Sequence, residues 1–339
     1  VRIDPVQGRV SKQSSQRHKI AREIEFYQRL PDGLRLYFPR LLGEWDHGQR
    51  LGYELEFFPF ASLSQHWVFY ALPDAVWQRA LGHVLDLQGQ FADWSLNQLD
   101  VPPAYPQGAE FAIALNRFYL GKLQERLAAV AQPALQNLLQ APRIWVNGVA
   151  LEGLPRLMPQ LETRVAQLCS RARPGFVHGD LCFSNILLEP ASGMVRLIDP
   201  RGDFLGSVNC GDPRYDLAKL LHSVHGQYDF IIHDLFSVQQ DGVSFELRLP
   251  RNHQLDRLRH WFCEALLARG HRVEDLKILE AMLFLSMLPM HADQPDRQLA
   301  FWLIGLQILN EVLQGVAHAP CEGSWSPLWP QLSAAALRH

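Results

Sequence analysis

The sequence predicts an α+β chain with a small strand-rich front and a large helical body. Three observations carry that expectation. Residues 1–60 hold short apolar runs with period-two alternation, clearest in Tyr53-Glu-Leu-Glu-Phe57. From Ala75 to Arg173 the apolar residues recur instead at three- and four-residue spacing. Beyond them, two short strand-like stretches in Phe176–Leu188 and Val195–Ile198 precede a second helical region.

Taken in order, Val1–Asp4 and Arg9–Gln13 read as strands around a Pro-Val-Gln-Gly turn. Ser14-Ser-Gln16 supplies N-cap choices for a helix over His18–Leu30, with Ile20, Ile24, Tyr27 and Leu30 on one stripe and Lys, Arg and Glu opposite. Pro31 stops it, because a proline cannot donate the next helical hydrogen bond. Phe38–Trp45 and Leu51–Phe58 are the next two strands. Pro59 ends the second, and Ala61-Ser-Leu63 opens a helical region. Helices follow over Ala75–Ala92, Phe111–Ala131 and Leu154–Arg173, interrupted by the Pro-rich Val101–Pro106. The pattern turns helical again over Asp216–His225 and most of Leu255–Val316, broken at Gly270 and between Pro289 and Pro295. No internal repeat or low-complexity segment is visible.

The bulk numbers exclude several classes. At 339 residues, 47% hydrophobic and 20% charged, the chain has the make-up of an ordinary globular protein long enough for two lobes. A net charge of −3 leaves no basic excess for neutralising phosphates, so nucleic acid is not the expected partner. Cys169, Cys182, Cys210, Cys263 and Cys321 form no CxxC pair and no metal-ligand spacing, which fits reduced core residues in a cytoplasmic protein. The longest apolar stretches, Ala281–Met290 and Phe301–Leu309, are too short to span a bilayer, so no membrane partner is expected. The first residues are polar and carry no signal-peptide core.

The chemistry is concentrated in Phe176-Val-His-Gly-Asp-Leu-Cys-Phe-Ser-Asn-Ile-Leu-Leu188 and Arg196-Leu-Ile-Asp199. An Asp, an Asn five residues on and an Asp fourteen after that meet the needs of phosphoryl transfer to a hydroxyl. Asp180 is the candidate base, and His178 orients its loop. Gly179 lets the backbone turn sharply between them. Asn185 and Asp199 are the candidate magnesium ligands, since Mg²⁺ favours few carboxylates together with phosphate oxygens and waters. Taken singly, each has a bland reading as a turn former; the combined spacing does not.

The segments His178-Gly-Asp-Leu-Cys-Phe-Ser-Asn-Ile-Leu187 and Leu197-Ile-Asp199 resemble the signature of aminoglycoside phosphotransferase and choline-kinase-like enzymes. The glycine in His-Gly-Asp favours that small-molecule branch over protein kinases. The resemblance implies a protein-kinase-like two-lobed α+β fold: residues 1–60 as a small nucleotide-binding β-sheet lobe, 61–339 as a large mainly helical catalytic and substrate lobe. The hinge would lie near Phe58–Ser62. The implied cofactors are ATP and Mg²⁺. Asp216, in Gly211-Asp-Pro-Arg-Tyr-Asp-Leu-Ala-Lys-Leu220, would brace the catalytic loop. Lys12 resembles the lysine that grips nucleotide phosphates, with Glu23 or Glu25 as its ion-pair partner. Backbone groups at Glu56 and Phe58 would face the adenine edge. Eleven residues precede Lys12 where related kinases have two strands and a phosphate-covering turn, and the chain opens on Val, so the expectation is either that the first strand is absent from this chain or that the sequence is a piece of a longer protein.

The acceptor expected is a small molecule, probed by basic rather than acidic additions: Arg196, Arg201 and Arg214. Arg201 either faces the cleft to bind an anionic or polyhydroxylated acceptor, or ties to a carboxylate such as Asp203 or Asp212. Leu221–Asp229 and Ser286–Asp293 resemble segments of kinase-like proteins associated with bacterial surface-polysaccharide gene sets. That resemblance implies a sugar-like acceptor and makes His222 and His291 candidate pocket residues. His291 and Asp293 do not make a metal site. The rival reading is a catalytically inactive kinase-like protein that binds a nucleotide or partner. A protein kinase is disfavoured, because no Ala-Pro-Glu segment follows Asp199.

Overall fold

The computed structural model describes residues 1–94, 96, 98, 99 and 101–316; Cys321 lies outside them. The front builds a four-stranded sheet from β1 (Arg2–Asp4), β2 (Arg9–Ser14), β3 (Leu41–Asp46) and β4 (Leu51–Glu56), in the order β1-β2-β4-β3 with antiparallel neighbours. Helix α1 (Arg17–Gln28) crosses it with Ile20, Ile24, Phe26 and Tyr27 buried, as the apolar stripe requires. The sequence expectation of a strand from Phe38 is corrected. Asp32–Tyr37 is a 3₁₀ turn and the strand begins at Leu41, after Pro39, which has no backbone donor to give a ladder.

Residues 57–60 lead from β4 to β5 (Ala61–Ser62), which pairs not with the front sheet but with β9 (Ile186–Glu189), beside β10 (Met194–Leu197). Ser62 then caps α2 (Leu63–Phe69). Its hydroxyl accepts the Gln65 amide while the Gln65 side chain returns to the Ser62 amide. The long α3 (Asp74–Asp93) packs on β8 (Gly175–Phe176), which pairs with β11 (Cys210–Gly211). The helix expected over Phe111–Ala131 is α4 (Gly108–Asn116) and α5 (Lys122–Ala128), joined by one π-helical turn at Arg117–Gly121. After α6 (Pro133–Leu139), α7 (Leu154–Ser170) and α8 (Arg214–Val224), the chain closes with α9 (Tyr228–Ile232), α10 (His253–Ala268), α11 (Val273–Ser286) and α12 (Pro295–Gln314).

One sheet was not anticipated. β6 (Arg143–Val146) and β7 (Val149–Glu152) form a hairpin, β12 (Ser237–Asp241) and β13 (Ser244–Arg248) form another, and β6 pairs in parallel with β13. The signal was present as Asn147-Gly148, whose φ angles of 50° and 79° suit the two-residue turn that asparagine and glycine favour.

An aromatic seam joins front and body. Phe26 of α1 packs against Phe38 and Phe176, and Phe91 of α3 meets Phe176 at 4.6 Å between ring centroids. A second seam, Trp67, Trp77 and Phe183, lies under the segment that follows Asp180. Far from the site, Asn310 on α12 is fully buried and pins β7. Its Oδ1 accepts the Glu152 amide at 2.8 Å and its Nδ2 donates to the Glu152 carbonyl at 3.0 Å. Asn310→Ala leaves those groups without partners and should lower the unfolding free energy by about 3 kcal/mol, measured by urea titration. An unchanged midpoint would make the pin dispensable.

Candidate active site

The site forms where β8 ends. The loop from Val177 to Asn185 is held by a buried carboxylate beneath it. Asp216, fully buried in the first turn of α8, accepts the amides of His178 at 2.7 Å and Gly179 at 2.9 Å on separate oxygens. Burial pushes its carboxyl up to about 7 against the pull of those two amides and of Lys219. Gly179 sits at φ +79°, and a Cβ there would lie 2.7 Å from Arg201 Cβ. Only glycine meets both conditions.

His178 is wholly enclosed, and burial drops its imidazole to about 4, so it is neutral. Nε2 donates to the Ile198 carbonyl at 3.0 Å and Nδ1 accepts the Asp180 amide at 3.2 Å. The ring thus ties the Asp180 loop to the end of the segment that carries Asp199. Asn185 completes the turn, its Nδ2 donating to the Asp180 carbonyl at 2.9 Å and to Oδ2 at 3.2 Å, which leaves its Oδ1 available. The Asp180 carboxylate is 39% exposed, and its Oδ1 pairs with Lys219 Nζ at 2.9 Å. Withdrawal from water would raise this group. Lys219, with His178 and Arg201, outweighs that and holds it below the usual carboxylate range.

Asp199 projects from a left-handed backbone position, φ +53°, an uncommon and costly one for a residue with a Cβ. Its Oδ1 meets Lys12 Nζ of β2 at 2.6 Å, and the same ammonium lies 2.9 Å from Glu23 of α1. Glu23 is buried and also accepts the Tyr53 hydroxyl at 2.8 Å, whereas Glu25 pairs with Arg22 and Arg29. The alternative left open by the sequence therefore resolves to Glu23. Burial works against the Lys12 charge, but Asp199 and Glu23 overcome it and raise the ammonium above its ordinary value.

Beside this ion cluster opens a cavity of about 360 Å³, with Val10, Leu55, Leu187 and Ile198 among its apolar walls and Glu56, Phe57 and Phe58 at one edge. The Glu56 amide is committed to the Arg40 carbonyl and the Phe57 amide to the Gly8 carbonyl. The Glu56 carbonyl and Phe58 amide are thus the backbone groups of interest there. Arg196 lies over the Phe58 ring at 5.3 Å, so it belongs to this edge.

A second recess is lined by Phe118, Tyr119, Lys122 and Tyr215 together with residues of α11. Sequence reasoning missed Lys219, Tyr215 and Lys122. Tyr215 and Lys219 sit one turn apart on the helix that carries Asp216, a spacing that was legible. Lys122 arrives from nearly a hundred positions away and gave no signal. Arg214 is structural, forming a close pair with Asp212 and donating to the Leu168 carbonyl. The site gathers neither candidate histidine. His222 is fully buried between Tyr228 and Phe284, and burial with Lys219 nearby drives it well below its usual pKa. His291 packs edge-on against Phe301. Both belong to the aromatic layer of α8, α9, α11 and α12.

The neutral state of His178 has a pH signature. A pKa of about 4 in the fold against about 6.5 unfolded means the folded state binds fewer protons between those values. The resulting stability is complete above pH 6.5 and is lost as pH falls towards 4. Urea midpoints at pH 7 and pH 5 should converge in His178→Asn relative to the parent chain. An identical pH dependence in both would show that His178 does not titrate as described.

A model of the phosphotransferase enzyme family matches residues 8–240. The comparison with curated proteins gave no match. Among solved structures, the GDP and kanamycin complex of APH(2")-IIia is 16% identical, with a TM-score of 0.50 and coverage of 88% of this chain and 84% of that one. The GDP complex of wild-type aminoglycoside 2'-phosphotransferase-IIIa is 14% identical, with a TM-score of 0.46 and coverage of 86% and 83%. The first of these likenesses is one of fold, and it agrees with the kinase-like two-lobed architecture described above. With its family model spanning both the ion cluster around Lys12 and the loop around Asp180, the chain belongs to the phosphotransferase enzyme family.

Proposed function

We propose that this enzyme moves the γ-phosphoryl group of ATP, with Mg²⁺, to a hydroxyl of a small molecule. The observation that carries the reading is convergence: Asp180, Asn185, Asp199 and Lys12 meet beside a cavity of a size suited to a nucleotide. Residues 1–60 act as the nucleotide lobe and 61–339 as the catalytic and acceptor lobe. The Glu56 carbonyl and Phe58 amide, two residues apart, meet the adenine edge, and Lys12 holds phosphate oxygens.

The donor set fits magnesium. Asn185 keeps Oδ1 free by spending its Nδ2 on Asp180, and Asp199 adds one carboxylate. Among the described residues no group of three or more His, Cys, Asp or Glu side chains could cage a metal by itself. That suits an ion whose remaining ligands are phosphates and waters. When bound, Mg²⁺ would neutralise charge developing on the transferred group. Asp180 receives the acceptor's proton. A carboxylate held below its usual range is a weak base, which suffices where the transition state is loose and the proton leaves late.

The acceptor proposed is a sugar or sugar derivative, of the kind handled in bacterial surface-polysaccharide assembly, and the cytoplasm is where ATP would be supplied. One relative was solved with GDP, so GTP belongs in the donor test.

Asp199→Ala should abolish the magnesium dependence of ATP binding in a calorimetric titration; unchanged binding would reduce this carboxylate to a structural role. Asp180→Ala should keep nucleotide affinity while phosphoryl transfer drops by about 10²–10⁴-fold. Undiminished turnover in that variant would remove Asp180 from the chemistry.

A further inference from the structure

Around Tyr215 the charges do not balance. Its hydroxyl, on a side chain almost wholly buried, lies 3.4 Å from Lys122 Nζ and 3.4 Å from Arg201 Nη1. Lys219 is the third cation in this group, and its partner is Asp180. Among the described residues, neither Lys122 nor Arg201 has a carboxylate partner in ion-pair contact. Asp203 lies near Arg22 and Asp212 is taken by Arg214, so both carboxylates that Arg201 could have used are engaged elsewhere. Three cations thus surround Tyr215, and only Lys219 among them has a carboxylate, that of Asp180, in ion-pair contact.

The two unpaired cations are instead laid against aromatic faces. Lys122 Nζ stands 5.7 Å from the Phe118 and Tyr215 ring centroids, and the Arg201 guanidinium 5.5 Å from Phe118. Phe118 lies in the π-helical turn between α4 and α5, a local widening of the kind that re-aims side chains at functional sites. Lys122 feels the imbalance: burial first, then Arg201 and Lys219, lower its ammonium below the ordinary value despite Tyr215. Burial would raise the Tyr215 phenol, yet the three cations hold it below its usual value. Cations kept half-buried without an acidic partner cost stability. An anion supplied from outside removes that cost.

Resting on the phosphotransferase reading above, we propose that the acceptor is an anionic hydroxylated small molecule, whose carboxylate or phosphate group is held by Lys122, Arg201 and the Tyr215 hydroxyl. Arg201 supplies a planar fork suited to either group, and Lys122 a point charge. Asp180 lies next in line through Lys219, so an anion fixed here leaves a hydroxyl of the same molecule beside the base. The same charges repel a polycation.

The test compares glucuronate and glucose 6-phosphate with glucose and kanamycin as acceptors for ATP and Mg²⁺, using the full chain. Transfer to either anion at a kcat/KM at least about tenfold above the neutral and cationic compounds is expected. The two anions separate carboxylate from phosphate recognition. Lys122→Met and Arg201→Met should then raise KM for the anion about tenfold or more while ATP affinity holds. Equal or better use of glucose or kanamycin would overturn the proposal.

A second arm uses no nucleotide. Glucuronate, glucose 6-phosphate and inorganic phosphate should raise the Tm of the parent chain and lose that effect in Lys122→Met, whose own ligand-free Tm should exceed the parent's. Absence of any anion effect, or a Lys122→Met variant less stable than the parent, would show the cations to be structural. Failure of magnesium-dependent ATP binding would count against the phosphotransferase reading, and the second arm would still decide the anion site.

Discussion

The Asp216 carboxylate sets the geometry on which the site depends. Both of its oxygens are spent on consecutive amides at the start of the His178 loop, in a place with no access to water. Two amides fixed by one rigid carboxylate leave the loop almost no freedom to shift, and the left-handed Gly179 follows from that constraint. His178 then couples the loop to Ile198, and Asn185 closes it on Asp180. Because α8 carries Asp216 in its first turn, the same helix also sets Tyr215 and Lys219. The brace of the loop, the ion-pair partner of Asp180 and the hub of the basic recess are three residues of one helical turn.

Much of this was legible because it is local. Asp180 and Asn185 share one loop, so their spacing alone implies their meeting, and the stripe Ile20, Ile24, Tyr27 implies the face on which α1 packs. What was not legible depends on distant partners. Glu23 and Glu25 differ by two helical positions, and only the approach of Lys12 and Tyr53 tells them apart. Lys122 acquires meaning only when a π-helical turn brings it to Tyr215. The resemblance of their segments made His222 and His291 candidate pocket residues, but their neighbours in space are Tyr228, Phe284 and Phe301. Aromatic packing, which one-dimensional patterns do not encode, removed them from the site.

Electrostatics divides the cleft into two regimes. On the side of Lys12, its single ammonium meets the two carboxylates of Glu23 and Asp199, so the cation there is fully paired and its geometry firm. On the other side, Lys122 and Arg201 meet aromatic rings and the Tyr215 hydroxyl, with no carboxylate in ion-pair contact among the described residues. Asp180 stands between the two, half exposed and held ionised by Lys219. A phosphotransferase recognises two substrates, a donor and an acceptor, and two electrostatic regimes suit two recognition tasks.

The sheet formed by β12, β13, β6 and β7 carries a consequence for how the chain reaches this state. Its parallel pair joins Val146 to Phe245, and Asn147 clasps Leu247 through two further hydrogen bonds, 3.0 and 2.9 Å long. Until the second hairpin has emerged from the ribosome, β6 presents an unpaired edge, the kind of surface that recruits strands from other chains. The contact closes across about a hundred residues, a separation that slows folding. The family match ends at residue 240, inside β12 and short of β13. A fragment cut at that boundary would keep every residue of the His178 loop, yet it would expose the β6 edge and, with α11 gone, uncover one face of α8, the helix that carries the Asp216 brace.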